Sequence, residues 1–447
     1  MDRKVIVYVT KKDSGQCLEK QETAGFRQDI QQQENKLLIV YPEETFQSIL
    51  GFGGAVTEAV GYTWQRLGEK NKRKVLEAYF GKDGIGYNFC RTPIQSCDFA
   101  MENYSYVKEG DQSLESFTTK RDEKYIIPFI EEAVKLSSED LLLFSSPWSP
   151  PGWMKESGKM NGGGKLKREC YGLWAEMLAR FMADYRDRGF PLWGISVQNE
   201  SKADQKWESC TFTPEEELIF IRDYLYPAMC KYRVQDKKLL FWDYNRDRAL
   251  EWAQEMMEDE KVRQMVHGIG VHWYSGDHFE ALDLVNRRYP DLAIHFTEGC
   301  ASGFVPEAKW EFGERYAHDI IGSLNHHTVS YTDWNLLLDE TGGPTHIGNF
   351  CNAPVMADTV KDEVVLTPSY YYIGHFSKFI KRGAVRVGLS RYTDKVEAAA
   401  FKNPDGEMVI EVLNAGNEDI SFTLKQDEMI VDLTAGARSM MTVTYKL

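Results

Sequence analysis

The chain has 447 residues and 43% hydrophobic content, enough for a large core and more than one domain usually holds. Its 53 Lys and Arg against 68 Asp and Glu leave a net charge of −15, which repels phosphate backbones and anionic membranes and so argues against both as partners. No run of about 18 apolar residues is present to span a bilayer, and the Met1-Asp2-Arg3-Lys4 start lacks a secretion signal, so a cytoplasmic location is the expectation.

Residues 1–45 alternate weakly, through Val5, Val7 and Val9 and then Leu37 to Val40, which predicts strands. From about 48 to 382, short apolar runs alternate with longer amphipathic segments, the rhythm of β-α units on a parallel sheet. Eight strands are expected, at 48–53, 85–91, 141–146, 192–198, 238–242, 267–272, 293–297 and 328–333. Between them, Leu173, Met177, Phe181 and Tyr185 mark a helix over 169–188 that stops at Gly189. Thr213-Pro214-Glu215-Glu216 supplies a helix cap, an N1 proline and a capping-box glutamate. Eight such repeats predict an α/β fold, a (β/α)8 TIM barrel over 46–384 with enlarged loops. A doubly wound open sheet is the alternative, disfavoured because no nucleotide fingerprint follows the first strand. Beyond 385 the period drops to two, as in Met408-Ile410-Val412, Ile420-Phe422-Leu424 and Met441-Val443-Tyr445. That predicts an antiparallel β-sandwich formed by 385–447 together with 1–45.

In a barrel of this kind the chemistry lies at the C-terminal ends of the strands. Two of those ends carry glutamates, Glu200 after Leu192-Trp193-Gly194-Ile195-Ser196-Val197-Gln198-Asn199 and Glu298 after Ala293-Ile294-His295-Phe296-Thr297. Paired carboxylates on separate strands are what double-displacement cleavage of a glycoside requires, Glu200 as acid/base and Glu298 as nucleophile. Asn199 is placed to bind a sugar hydroxyl beside the acid. Tyr274 can donate to the nucleophile, and Arg91 can hold a carboxylate ionised. His272 taken alone reads more readily as a satisfied core histidine. The Gly51-Phe52-Gly53-Gly54 run offers close backbone approach to a ligand, followed by Glu58 as a hydroxyl acceptor or simply a helix-start glutamate. Trp148, inside a stiff Pro147 to Pro151 loop, and Trp334 offer flat faces for a sugar ring, with Asn349 and Phe350 on the next loop. Eight scattered cysteines without a CxxC pair and nine histidines without a HExxH motif imply reduced thiols and no metal site. No organic cofactor is implied either.

These motifs resemble family 30 of the glycoside hydrolases, most closely its glucosylceramidase (acid β-glucosidase) branch. The resemblance rests on Gly-Phe-Gly-Gly-Ala-Val-Thr-Glu at 51–58, Cys-Arg-Thr-Pro-Ile at 90–94 and Ser-Cys-Asp-Phe at 96–99. It continues through Ser-Pro-Trp-Ser-Pro-Pro-Gly-Trp-Met-Lys at 146–155, His-Trp-Tyr at 272–274, Asp-Trp-Asn-Leu at 333–336, Gly-His-Phe-Ser-Lys-Phe-Ile at 374–380 and Arg-Val-Gly-Leu at 386–389. It implies a barrel with a β-sandwich side domain, retention of configuration, the same roles for Glu200 and Glu298, and a sugar subsite lined by Glu58, Trp148, Asn199, Tyr274, Trp334 and Asn349. The chain departs from the branch in carrying Glu58 where the pattern has Asp, which shifts a carboxylate by about 1.5 Å. That departure opens the choice of sugar, and, with no export signal in view, a small soluble glycoside or oligosaccharide is the expected partner. A β-glucosidase is the first reading, and a β-xylosidase, a β-fucosidase or a β-1,6-glycan hydrolase is the alternative. A non-catalytic sugar-binding protein is the remote one, since both carboxylates are present.

Overall fold

The structure is a computed structural model that describes residues 4–446 apart from 24, 138, 302 and 308. Eight parallel strands close into a barrel: β1 (Gly51–Ala55), β2 (Phe89–Ile94), β3 (Leu142–Pro147), β4 (Leu192–Ser196), β5 (Lys238–Asn245), β6 (Gly268–His272), β7 (Ala293–Glu298) and β8 (Thr328–Asn335). β8 returns to β1 through the register Ser330↔Gly51 and Thr332↔Gly53. These are the eight expected strands, shifted by a few residues at their ends. The glycines of β1 serve the barrel wall rather than a ligand. A Cβ on Gly53 would lie 1.9 Å from the Phe89 carbonyl oxygen, so only glycine lets β1 sit this close to β2.

The helices form where their signals stand. Tyr171–Asp187 buries Met177, Phe181 and Tyr185 on one face. Pro214–Phe220 opens with a complete capping box, Thr213 accepting from the Glu216 amide and the Glu216 side chain accepting from the Thr213 amide. After β8 the chain departs from the expected loop. A small sheet of Leu337–Asp339, Val355–Asp358 and Glu363–Leu366 follows, packed into the barrel's core through Leu337, Val355 and Val364, and the 340–351 segment links its first two strands.

Inside the barrel the strands' period of two sorts side chains into layers. Phe89, Phe144 and Leu240 fill the lower layer, with Phe89 and Phe144 stacked at 5.1 Å. Two residues further along the same strands stand Arg91 and Ser146, which make the next layer polar. The apolar floor therefore supports a buried polar site at the C-terminal ends.

The side domain is one hydrogen-bonded sheet of ten strands wrapped around its own core of Val5, Val7, Val40, Ile410, Phe422, Leu424, Val443 and neighbours. Val5–Lys11 pairs with Ser439–Lys446, and Leu37–Ser48 pairs with Val385–Arg391. One pairing differs from the expected antiparallel pattern: Ile420–Gln426 runs parallel to Leu37–Ser48, which a connection longer than a hairpin permits. Strand Glu407–Asn414 is buried on both faces, Met408, Ile410 and Val412 toward the sandwich core and Val409 and Leu413 toward the barrel. Polar ties reinforce that seam. His375 bridges Thr10 and Thr442 at 2.9 and 2.7 Å, and His318 bridges Glu397 at 2.8 Å and Asp277 at 3.0 Å.

Candidate active site

Arg91, fully buried on β2, is the hub of the polar layer. Its guanidinium donates to Glu298 Oε2 at 2.6 Å, Asn199 Oδ1 at 2.7 Å, Asp243 Oδ2 at 2.8 Å and Ser146 Oγ at 3.0 Å. It also lies 4.7 Å from the Trp148 ring centroid, a cation–π contact that fixes the indole. Glu298 receives a second donor, the Tyr274 hydroxyl, at 2.9 Å. Its two oxygens are thus held by a cation and a phenol.

Glu200 stands on a different support. It adopts φ +51°, and its amide donates to the Asp243 carbonyl at 2.8 Å. Asp243 and the preceding Trp242 are themselves left-handed, at φ +48° and +68°, where β5 loses register with β6. Such conformations cost about 1–3 kcal/mol each and persist where the surroundings enforce them. Here the enforcement is visible: Glu217, fully buried, accepts from the Trp242 amide at 3.2 Å and the Trp252 indole at 2.7 Å. The Glu200 carboxyl contacts His272 Nδ1 at 3.4 Å and Gln205 Nε2 at 3.5 Å, and the other His272 nitrogen reaches Asp243 Oδ1 at 3.1 Å.

The charges follow from these contacts. Burial alone would raise the Asp243 carboxyl, but Arg91 and His272 outweigh it and hold Asp243 well below the usual carboxylate range. Burial opposes a charge on His272, yet Glu298 and the bonds to Asp243 and Glu200 overcome it and raise the imidazole to about 9. Burial pushes Glu298 upward against the pull of His272, Arg91 and Tyr274. Two cations, Arg91 and His272, therefore face three carboxyls, Asp243, Glu200 and Glu298. The cluster is neutral when one carboxyl holds a proton.

Donor atoms of Glu200, His272 and Glu298 lie within 4.8 Å of one another, so one oxygen of each glutamate falls inside that distance. By atom type the trio could ligate a metal ion. A divalent ion there would sit beside the Arg91 guanidinium, which already matches the charge of Glu298, and the donors fit a carboxyl pair better than a metal cage.

The carboxyls open into a cavity of about 170 Å³. This is below the roughly 300–1,000 Å³ of drug-sized sites and suits a single sugar ring. Of the residues singled out in the sequence, Trp148, Asn199, Glu200, Tyr274, Glu298, Trp334, Asn349 and Phe350 line it. Trp148 and Trp334 stack on each other at 5.2 Å. Arg91 and His272 lie behind the wall, acting on the glutamates from below. Glu58 does not belong to it. It is the first residue of helix Glu58–Gln65, and its carboxylate turns away to Arg121 Nε at 2.7 Å and the Met101 amide at 2.7 Å. The carboxylate that the cavity does present is Asp98, from the Ser96-Cys97-Asp98-Phe99 motif, which accepts from Asn349 Nδ2 at 2.8 Å. Its Oδ1 has no protein partner among the described residues, and burial together with Glu298 raises the group well above the usual range. Asp243 was also missed, although it directly follows an expected strand and the strand-end rule applied to it. Gln205, Trp207, Tyr244 and Asn245 also stand in the wall and had no periodic signal.

Residues 49–380 match the glycosyl hydrolase family 30 TIM-barrel domain, and residues 383–443 match the glycosyl hydrolase family 30 beta sandwich domain. The chain is 36% identical over 413 residues to the lysosomal acid glucosylceramidase of Mus musculus, covering 88% of this chain and 80% of the relative. It is 25% identical over 403 residues to an endo-1,6-beta-D-glucanase of Neurospora crassa, covering 86% and 82%. The crystal structure of SrfJ from Salmonella typhimurium superposes with a TM-score of 0.96 at 34% identity, over 99% of this chain and 100% of that one. Barrel, side domain and carboxyl pair together define a glycoside hydrolase. The chain belongs to glycosyl hydrolase family 30.

Proposed function

We propose that the protein is a retaining, exo-acting β-glycosidase, with a β-glucoside as its substrate. Glu298, held by Arg91 and Tyr274, attacks the anomeric carbon. Glu200, whose contacts at 3.4 and 3.5 Å are the weaker ones and leave it the freer of the two, delivers a proton to the departing oxygen. Glu200 then takes a proton from water, which cleaves the glycosyl ester and restores Glu298. The observation that carries this reading is the pair of carboxyl oxygens within 4.8 Å, too close for a water to act from the opposite face of the sugar.

Glucose is favoured by the glucosylceramidase relative, and exo action by the one-ring cavity. The endo-1,6-glucanase relative supports a second reading, the same mechanism on a β-1,6-glycan. Glu298→Gln is expected to abolish turnover with the fold intact. Glu200→Ala is expected to lose activity on alkyl glycosides, keep it on activated aryl glycosides, and gain rate from added azide. Equal losses on both substrate types would overturn the acid/base role, and a panel of aryl β-glycosides and β-1,6-oligosaccharides separates the two substrates.

A further inference from the structure

We propose that the seam between barrel and side domain holds a second ligand site, built around Arg386, for a small monocarboxylate with an apolar body. The site is separate from the chemistry, since none of the residues that line it lines the catalytic cavity.

Arg386 stands on strand Val385–Arg391 and is 7% exposed. Its guanidinium is fixed from two directions. One flat face lies 3.6 Å from the Phe46 ring centroid, and Nε donates to Gln47 Oε1 at 3.0 Å. Gln47 is anchored in turn, its Nε2 donating to the Leu324 and Thr328 carbonyls at 2.6 and 3.1 Å. The two terminal nitrogens of Arg386 have no hydrogen-bond or ion-pair partner among the described residues.

That sets it apart from the other buried arginines. Arg91 meets Asp243 at 2.8 Å and Arg246 meets Asp319 at 2.6 Å, each carboxylate fully buried. Asp283 acts on Arg386 only from a distance and contacts His326 and His327 at 3.7 and 3.4 Å instead. Burial with so little compensation lowers the guanidinium to about 10. A desolvated cation of this kind gains more from an anion than an exposed one does. Its free outer edge presents two parallel N–H groups, the geometry a carboxylate matches.

The edge opens onto a cavity of about 510 Å³, within the roughly 300–1,000 Å³ of small-molecule sites. Phe279, Ile321, Val387 and Leu389 give that cavity apolar wall, which favours a ligand with an apolar body over a bare inorganic ion. The charges in the wall set the valence. His318 is matched by Glu397 at 2.8 Å and Arg391 by Asp394 at 3.7 Å, so Arg386 is the cation left to neutralise. Glu397 and Asp394 also oppose a second negative charge on the ligand.

The test is calorimetry on the full chain with phenylacetate, its uncharged amide phenylacetamide, and inorganic phosphate. The acid is expected to bind with a Kd of about 1 mM or lower. The amide and phosphate are expected to bind at least about tenfold more weakly, the amide because it lacks the charge-assisted hydrogen bonds. Arg386→Met, which keeps a long side chain over Phe46, is expected to lose the preference for acid over amide with its circular dichroism unchanged. A glucose-shaped inhibitor filling the catalytic cavity is expected to leave the acid's affinity as it was. Equal binding of acid and amide to the wild type, a comparison that needs no variant to fold, overturns the proposal. So does competition with the inhibitor, tighter binding of phosphate than of the acid, or an Arg386→Met protein that still prefers the acid.

Discussion

Replacing Arg91 with methionine keeps a long side chain under Trp148 but removes the cation at the centre of the site. In the wild type its guanidinium donates to Glu298, Asn199, Asp243 and Ser146 over 2.6 to 3.0 Å, with both charged partners buried. Without it His272 alone faces Asp243 and Glu298. Stripping one partner from a buried ion pair costs about 3–5 kcal/mol, because the remaining charge is left desolvated. The loss should depend on pH in a defined direction. In the wild type Asp243 is held below its unfolded value, so its contribution is present above the unfolded carboxylate pKa and fades as pH falls. In the variant burial acts on Asp243 without Arg91 to offset it, and protonation then relieves the penalty. Urea unfolding is expected to show Arg91→Met about 3–5 kcal/mol less stable at pH 7 and less than half as far behind at pH 4.5. A difference that is the same at both pH values would refute the electrostatic account and leave only the packing of Arg91 between Phe144 and Trp148.

Asp98→Ala should weaken binding of a glucose-shaped inhibitor about 2- to 10-fold by calorimetry, since a hydrogen bond contributes about 0.5–1.5 kcal/mol; unchanged affinity would remove Asp98 from the sugar subsite. Glu217→Gln should cost about 1–3 kcal/mol in urea unfolding, because an amide can accept from only one of the Trp242 amide and the Trp252 indole and leaves the other buried donor unmatched. A change under about 0.5 kcal/mol would mean that the left-handed Trp242–Asp243 turn holds itself. His318 is raised to about 9, chiefly by its bond to Glu397 and against the opposing effect of burial. The stability it adds is therefore complete below its unfolded value near 6.5 and is lost as pH rises through about 9. The melting-temperature gap between wild type and His318→Gln should accordingly close between pH 7 and pH 10, and a gap that stays open would contradict the seam's charge pairing.

The barrel was legible because its parallel strands are buried on both faces and read as unbroken apolar runs between amphipathic helices. The convergence of the two glutamates was legible for a related reason: each ends such a run, where the polar layer begins. The misreading of Glu58 shows the limit of that rule. Thr57 caps the helix that starts at Glu58, with its hydroxyl accepting from the Val60 amide, and a first-turn glutamate belongs to the helix as readily as to a site. Asp98 stood inside a quoted motif, yet it lies beyond β2 in a loop where no periodicity tells inward from outward. The small three-stranded sheet has no sequence signal because its strands, Leu337–Asp339, Val355–Asp358 and Glu363–Leu366, are too short to establish a period. The parallel pairing of Ile420–Gln426 with Leu37–Ser48 joins segments that no local pattern connects.

The side-domain sheet has a bearing on how the molecule assembles. Val5 pairs with Tyr445, so a strand near the start of the chain finds its neighbour near the other end, with the entire barrel lying between them in sequence. The barrel closes through contacts between successive βα units and can be finished first. The early strand has to wait, with its edge exposed, until the late one arrives. Losing the late strand would therefore strip Val5–Lys11 and Glu407–Asn414 of a shared partner and split the sheet in its interior.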